Sequence, residues 1–219
     1  MTTTKALVKA LVKAKSKVKV APKAKAKKKI WFKVLVGDQA SSGGEFTYSL
    51  PTETSPRQWT PGKWHGIPKK SKLKICSVGF HITMNPAVWW KRNATAYVAE
   101  YEGETTQPQE KTKIAVRKIR LLRPAAKAEL AKHGIYLGGI HTHRDEETSV
   151  WAYGEAQVTI KTDCEYECIH AYAADRSVII RHTPGSTELY DSATLVDLNY
   201  QKSAKPKIMH ATSWRPVGP

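Results

Sequence analysis

The chain has 219 residues, 41% of them apolar, and a formal net charge of +17. That length allows one large domain or two small ones, and seven Trp with nine Tyr are enough for a real core. Three cysteines (Cys76, Cys164, Cys168) argue against a secreted disulfide framework, and no apolar run approaches the length of a membrane-spanning helix.

The charge is uneven. Residues 1–29 contain no acid and eleven lysines: Lys5, Lys9, Lys13, Lys15, Lys17, Lys19, Lys23, Lys25, Lys27, Lys28 and Lys29. Charge this dense cannot bury apolar surface, so a disordered basic tail is expected. Such a tail holds polyanions by counterion release, without sequence preference. DNA or RNA is the first partner implied, and an anionic membrane surface the second. The Lys-Ala-Lys-Pro composition resembles the tails of linker histones.

Ile30 to Val36, IWFKVLV, predicts a strand, and Glu45 to Leu50 a second one, paired with it across Gly37-Asp38 and a Ser/Gly-rich turn. Pro51 to Lys74 reads as a loop. It carries Trp59, Trp64 and the basic run Lys69, Lys70, Lys72 and Lys74. The tryptophans beside those lysines are either stacking platforms for bases or side chains folded back over the core.

Leu73 to Thr83, LKICSVGFHIT, predicts a central strand, followed by an Asn85-capped short helix from Pro86 to Lys91. Strands are predicted over Ala94 to Tyr101 and Lys113 to Leu122. Pro124 then opens a helix that ends at Gly134. From Ser149 three stretches repeat, with Tyr153, Tyr172 and Tyr190 spaced 19 and 18 apart, each before a small or acidic turn and an apolar strand. That period suggests a β-solenoid or β-meander with Val150, Val158, Val178 and Leu195 in its apolar positions. The expected class is therefore α+β with β dominant. The tail covers 1–29, a mixed core with short helices 30–125, a helix and connector 126–148, the strand repeat 149–200, and a Pro-rich basic tail 201–219.

Two metal-like patterns are incomplete. His141-X-His143 resembles the metal-binding pair of JAMM metalloproteases. Arg144 stands where that family has Pro and Ala152 where it has Asp, so a solvated polar turn is expected. Cys164 and Cys168, with His170, lie about 13 Å apart if extended, too far for one zinc. No metal site is expected. Phosphate-binding and hydrolase glycine motifs are absent.

CSVGFHITMNPAVWW, YVAEYEG and KIAVRKIRLLRP together resemble uncharacterised proteins of tailed phages and prophages. Those share a Cys-X-X-Gly-Phe/Leu-His strand, an Asn/Asp-Pro helix and a strand-repeat continuation. The resemblance implies a virion-associated or accessory protein, in a virion or a bacterial cytoplasm, with other virion proteins as further partners. It carries no catalytic residue with it, and no cofactor is expected. More distantly, the strand–Pro helix–Glu strand order is similar to small ADP-ribosyltransferase folds. That similarity implies an NAD site with His81, Thr83, Glu100 and Glu102. The first strand lacks the expected ribose-binding His or Arg, since its polar residues are Lys33 and Asp38.

Overall fold

The computed structural model describes residues 29–41, 43, 46–108, 112–145, 149–162, 169–183, 185–198 and 207–211. The lysines from Lys5 to Lys28, Cys164, Cys168, Glu146, Glu147 and most of the C-terminal tail lie outside them.

The first module is an antiparallel sheet closed on itself. β1 (Trp31–Val36) pairs along its full length with β7 (Ala94–Thr105), and β7 with β8 (Lys113–Pro124). β8 pairs on its other edge with β6 (Phe80–Thr83), which returns to β1 through a single residue pair, Phe32 opposite Thr83. Closure leaves few unpaired edges, and the short β2 (Gln39–Ala40) and β5 (His65–Gly66) cover parts of β1 and β8. β3 (Thr52–Ser55) and β4 (Gln58–Thr60) form a separate hairpin within the stretch expected to be loop.

β1 is buried on both faces, which explains its nearly continuous apolar run. Leu35 packs inward with Phe80, Ile82, Val116 and Ile119. Phe32 and Val34 point the other way, into a core shared with the second module.

That second module is a solenoid of parallel strands. β9 (Ile135–His143) lies beside β10 (Val150–Ile160). The two halves of β10 then pair with β11 (Ile169–Ala173) and β12 (Val178–Arg181). These pair in turn with β13 (Gly185–Leu189) and β14 (Thr194–Asp197). β15 (Lys207–His210) runs antiparallel to β14 and covers the last coil. The interior is narrow, so small side chains dominate: Ala152, Ala156, Ala171, Ala173 and Ala193 are buried between Val158, Ile179 and Leu195.

Several expectations change. Helix among the described residues amounts to one 3-10 turn, Pro86–Trp89, and one five-residue helix, α1 (Lys127–Ala131), so the chain is β-dominated and the α+β description overstates its helix. Pro124 does not open α1 because it still belongs to β8, and the Ala125 N–H donates to the Ala96 carbonyl. The predicted strand over Leu73 to Thr83 shrinks to β6. Cys76 adopts φ +63°, and Lys74 bridges to Val78 around a tight turn. Of the strand predicted over Glu45 to Leu50, the described residues 46–50 contribute a bridge from Thr47 to Gln39. The solenoid begins at Ile135, inside the expected connector. Its inward ladder runs Val158, Ile179, Leu195, leaving Val178 out of it. No described helix is long and apolar enough to cross a membrane.

Candidate functional site, a cationic cavity at the barrel seam

Where β1 and β6 meet through one pair, the ring is weakly closed, and a cavity of about 630 Å³ lies there. Lys33 reaches it from β1, His81 and Thr83 from β6, and Lys113 from β8. Directly opposite residues of an antiparallel pair share a face, so Thr83 opposite Lys113 and His81 opposite Ala115 put Lys113 and His81 side by side. Phe46, Tyr48 and Trp89 supply aromatic wall, and Cys76 and Ser77 come from the turn before β6.

Lys33 is 6% exposed, an ammonium inside a sheet. Its Nζ donates to the His81 carbonyl at 3.1 Å and lies 5.0 Å from the centre of the Tyr48 ring. Burial, and then the positive charge of Lys113, pull its pKa down to about 8. Burial pushes the Tyr48 phenol well above its ordinary range. The His81 Nε2 accepts the Cys76 backbone N–H at 2.8 Å, which leaves the ring proton on Nδ1. Burial, Lys113 and Lys33 together lower its pKa to about 4, so the imidazole is neutral at pH 7. Lys113 Nζ sits 4.2 Å over the Trp89 ring and 3.2 Å from the Cys76 Sγ.

Thr83 lines the cavity, but its hydroxyl is engaged locally. Oγ1 accepts the Asn85 N–H at 3.0 Å and donates to the Asn85 carbonyl at 3.1 Å. Asn85 caps the 3-10 turn that carries Trp89, its Oδ1 accepting from Ala87 N–H. Gly79, at φ +124°, lets the chain pass close to β8, because a Cβ there would stand 3.1 Å from the Ala115 Cβ.

Glu100 and Glu102 do not join His81 and Thr83. They sit opposite Arg120 and Lys118 across β7 and β8 and form ion pairs with them at 2.6 and 2.7 Å. Glu104 continues the row with Arg117 at 2.5 Å. Among the described residues lining the cavity there is no carboxylate.

Trp64 is half-buried, and Lys118 and Arg120 lie over its ring at 4.5 and 4.7 Å. The tryptophan thus folds back onto β8. Lys69, Lys70, Lys72 and Lys74 are all exposed, on a loop whose two ends, Ile67 and Cys76, both line the cavity. Arg117 fixes that loop by donating to the carbonyls of Pro68 and Ser71. Lys29, the described end of the tail, is exposed.

The expected polar turn at His141 and His143 is instead strand β9. His143 is 3% exposed, its Nδ1 3.0 Å from the Tyr136 hydroxyl and its Nε2 2.7 Å from the Asp145 carbonyl. The solenoid buries this ring because the strand continues past Gly138 and Gly139 instead of turning there. No group of metal-ligating side chains gathers among the described residues; Cys164 and Cys168 lie outside them.

Lys33, Lys113 and Tyr48 were not expected at the site. The signal for Lys33 was present: it is the single charge within an otherwise apolar strand buried on both faces. No family model, curated protein or solved structure matches this chain.

Proposed function

We propose that the protein binds nucleic acid without sequence preference, through the lysine tail and the Lys69–Lys74 loop. The observation that carries this reading is the loop. Its four lysines are exposed, held on a fixed backbone, and take part in no ion pair among the described residues. The neighbouring β7–β8 face differs, because its cations are neutralised by Glu100, Glu102 and Glu104. Spare cations spaced along one loop suit the spaced charges of a phosphate backbone. The resemblance to phage and prophage proteins supports an accessory or virion-associated role, with other virion proteins as neighbours. An NAD-consuming activity would need a carboxylate beside His81 and Thr83, and Glu100 and Glu102 are paired elsewhere.

The test is the salt dependence of duplex binding. Each lysine–phosphate contact adds about 0.9 to the slope of log K against log salt. Removing residues 1–29 is expected to weaken binding sharply and flatten the slope. Changing Lys69, Lys70, Lys72 and Lys74 to Gln together is expected to lower the slope further, by up to about 3–4. Unchanged affinity in both variants overturns the reading.

A further inference from the structure

We propose that the seam cavity is a binding site for a phosphate ester with a flat aromatic body, of the class of a nucleoside monophosphate. The argument starts from Lys33. A buried ammonium needs acceptors, and the described residues give its Nζ one, the His81 carbonyl, for three N–H donors. A second cation, Lys113, faces the same space, and no described lining residue is acidic. Two like charges converging on one cavity, with no counter-charge among the described lining residues, are stabilised by an anion between them. Burial first, and then the charge of Lys113, hold the Lys33 pKa below its ordinary value. The remaining wall sets the rest of the ligand. Phe46 lines the cavity and is 45% exposed although it packs edge-to-face with Tyr48, His65 and Phe80, so an aromatic group at the cavity mouth would meet a ring already held in place. A volume of about 630 Å³ lies within the range of small-molecule sites and admits one nucleotide.

The ester has two sources, a free nucleotide or the terminal phosphate of a strand lying along the Lys69–Lys74 loop, whose ends open on the cavity. The first source does not depend on the nucleic-acid reading.

The experiment is calorimetric titration of the full chain with adenosine monophosphate, adenosine and inorganic phosphate. The expected result is one adenosine monophosphate per chain, with both fragments about tenfold weaker or more. Lys33→Met and Lys113→Gln are each expected to weaken the nucleotide about tenfold or more. Lys113 is only half-buried, so its variant carries the test if Lys33→Met fails to fold. Thymidylate oligomers with and without a 5′-phosphate then separate the sources. A preference for the phosphorylated end that Lys113→Gln abolishes assigns the site to strand ends. Equal binding of the two oligomers, with adenosine monophosphate still bound, assigns it to free nucleotide. Failure of both the nucleotide and the phosphorylated end to bind at the cavity, or binding unchanged in both variants, overturns the proposal. Failure of the nucleic-acid reading shows separately, as loss of duplex binding.

Discussion

Lys33 and His81 make the cavity a pH-dependent element of stability. Lys33 has a folded pKa of about 8 against 10.5 for the free side chain. Between those values the unfolded chain holds a proton that the folded chain has shed, so stability rises with pH through that window. Below pH 8 both states are protonated and the cost of the buried charge is fully present. Tyr48 acts in the opposite sense above pH 10, because its raised pKa keeps the folded phenol neutral while the unfolded one ionises. The useful comparison is therefore pH 7.5 against 9.5. Urea unfolding is expected to show wild type gaining on the order of 1–2 kcal/mol across that interval, and Lys33→Met losing the gain. Equal gains in both proteins would place the titration elsewhere. His81 works on the acid side. Its folded pKa of about 4 lies below the ordinary 6.5, so stability is lost as pH falls through that interval. His65 and His133 are lowered by burial and add to the same trend. His81→Gln should move the acid unfolding midpoint to lower pH without abolishing the transition, as circular dichroism against pH would show.

At the scale of elements, the solenoid is shaped by its corners. Gly154, Asp175 and Asp191 occupy matching corners of three successive coils, all with φ near +60°. Asp175 Oδ2 accepts the Gly154 N–H at 2.8 Å, and Asp191 Oδ2 lies 3.4 Å from the Asp175 N. Each aspartate thus ties its corner to the coil before it. Asp175→Ala loses that bond and keeps a Cβ on a left-handed backbone without the polar side chain that favours it there, and should cost about 2–3 kcal/mol. Asp175→Gly keeps the backbone freedom and should cost less; the difference between their thermal midpoints isolates the strain. A larger loss for Gly than for Ala would contradict this account. In the other module Phe80→Ala is expected to cost about 3–5 kcal/mol, since Phe80 is buried among Ile82, Val116 and Ile119. A thermal midpoint unchanged within a degree or two would remove β6 from the core.

These elements were unequally legible. β1, β7 and β8 announce themselves by apolar or alternating runs, and the repeat by its acidic corners. The register was not legible, because Tyr172 stands opposite Trp151, not Tyr153, and stacks on it at 3.8 Å. The near-equal spacing of the tyrosines hid coils of unequal length. Ring closure through one pair, Phe32 with Thr83, left no local trace, so the seam and its cavity could not be read. The basic residues of the cavity come from β1, β6 and β8, and only tertiary structure joins Lys33 to Lys113, 80 positions apart.

At the scale of the molecule, the two modules share one of the three cores. Phe32, Val34 and Ala96 from the barrel, and Trp90 just after the 3-10 turn, pack with Leu130 of α1 and Ile135 of the solenoid, and Trp151 and Tyr153 press on the same cluster. Outside it, Arg92 forms an ion pair with Asp191 at 2.7 Å and lies over the Tyr190 ring, joining the barrel side to a solenoid corner. That pair is exposed, and surface pairs contribute about 0–1 kcal/mol, so the apolar junction carries the coupling. β1 is the reason the coupling reaches the barrel interior. Its alternate residues serve the junction core and the inner core, so it cannot leave one without opening the other. Calorimetric unfolding of the full chain is therefore expected to show one transition. Trp90→Ala removes a large side chain that is 5% exposed and should cost about 3–5 kcal/mol. Its effect should register equally in amide exchange along β10 and β12, which reports the solenoid, and along β7, which reports the barrel. Arg92→Ala should shift neither by more than about 1 kcal/mol. Two separate transitions in the wild type, or a Trp90 variant that loosens β7 while the solenoid melts as before, would show that the modules fold independently and that the shared core is only a contact.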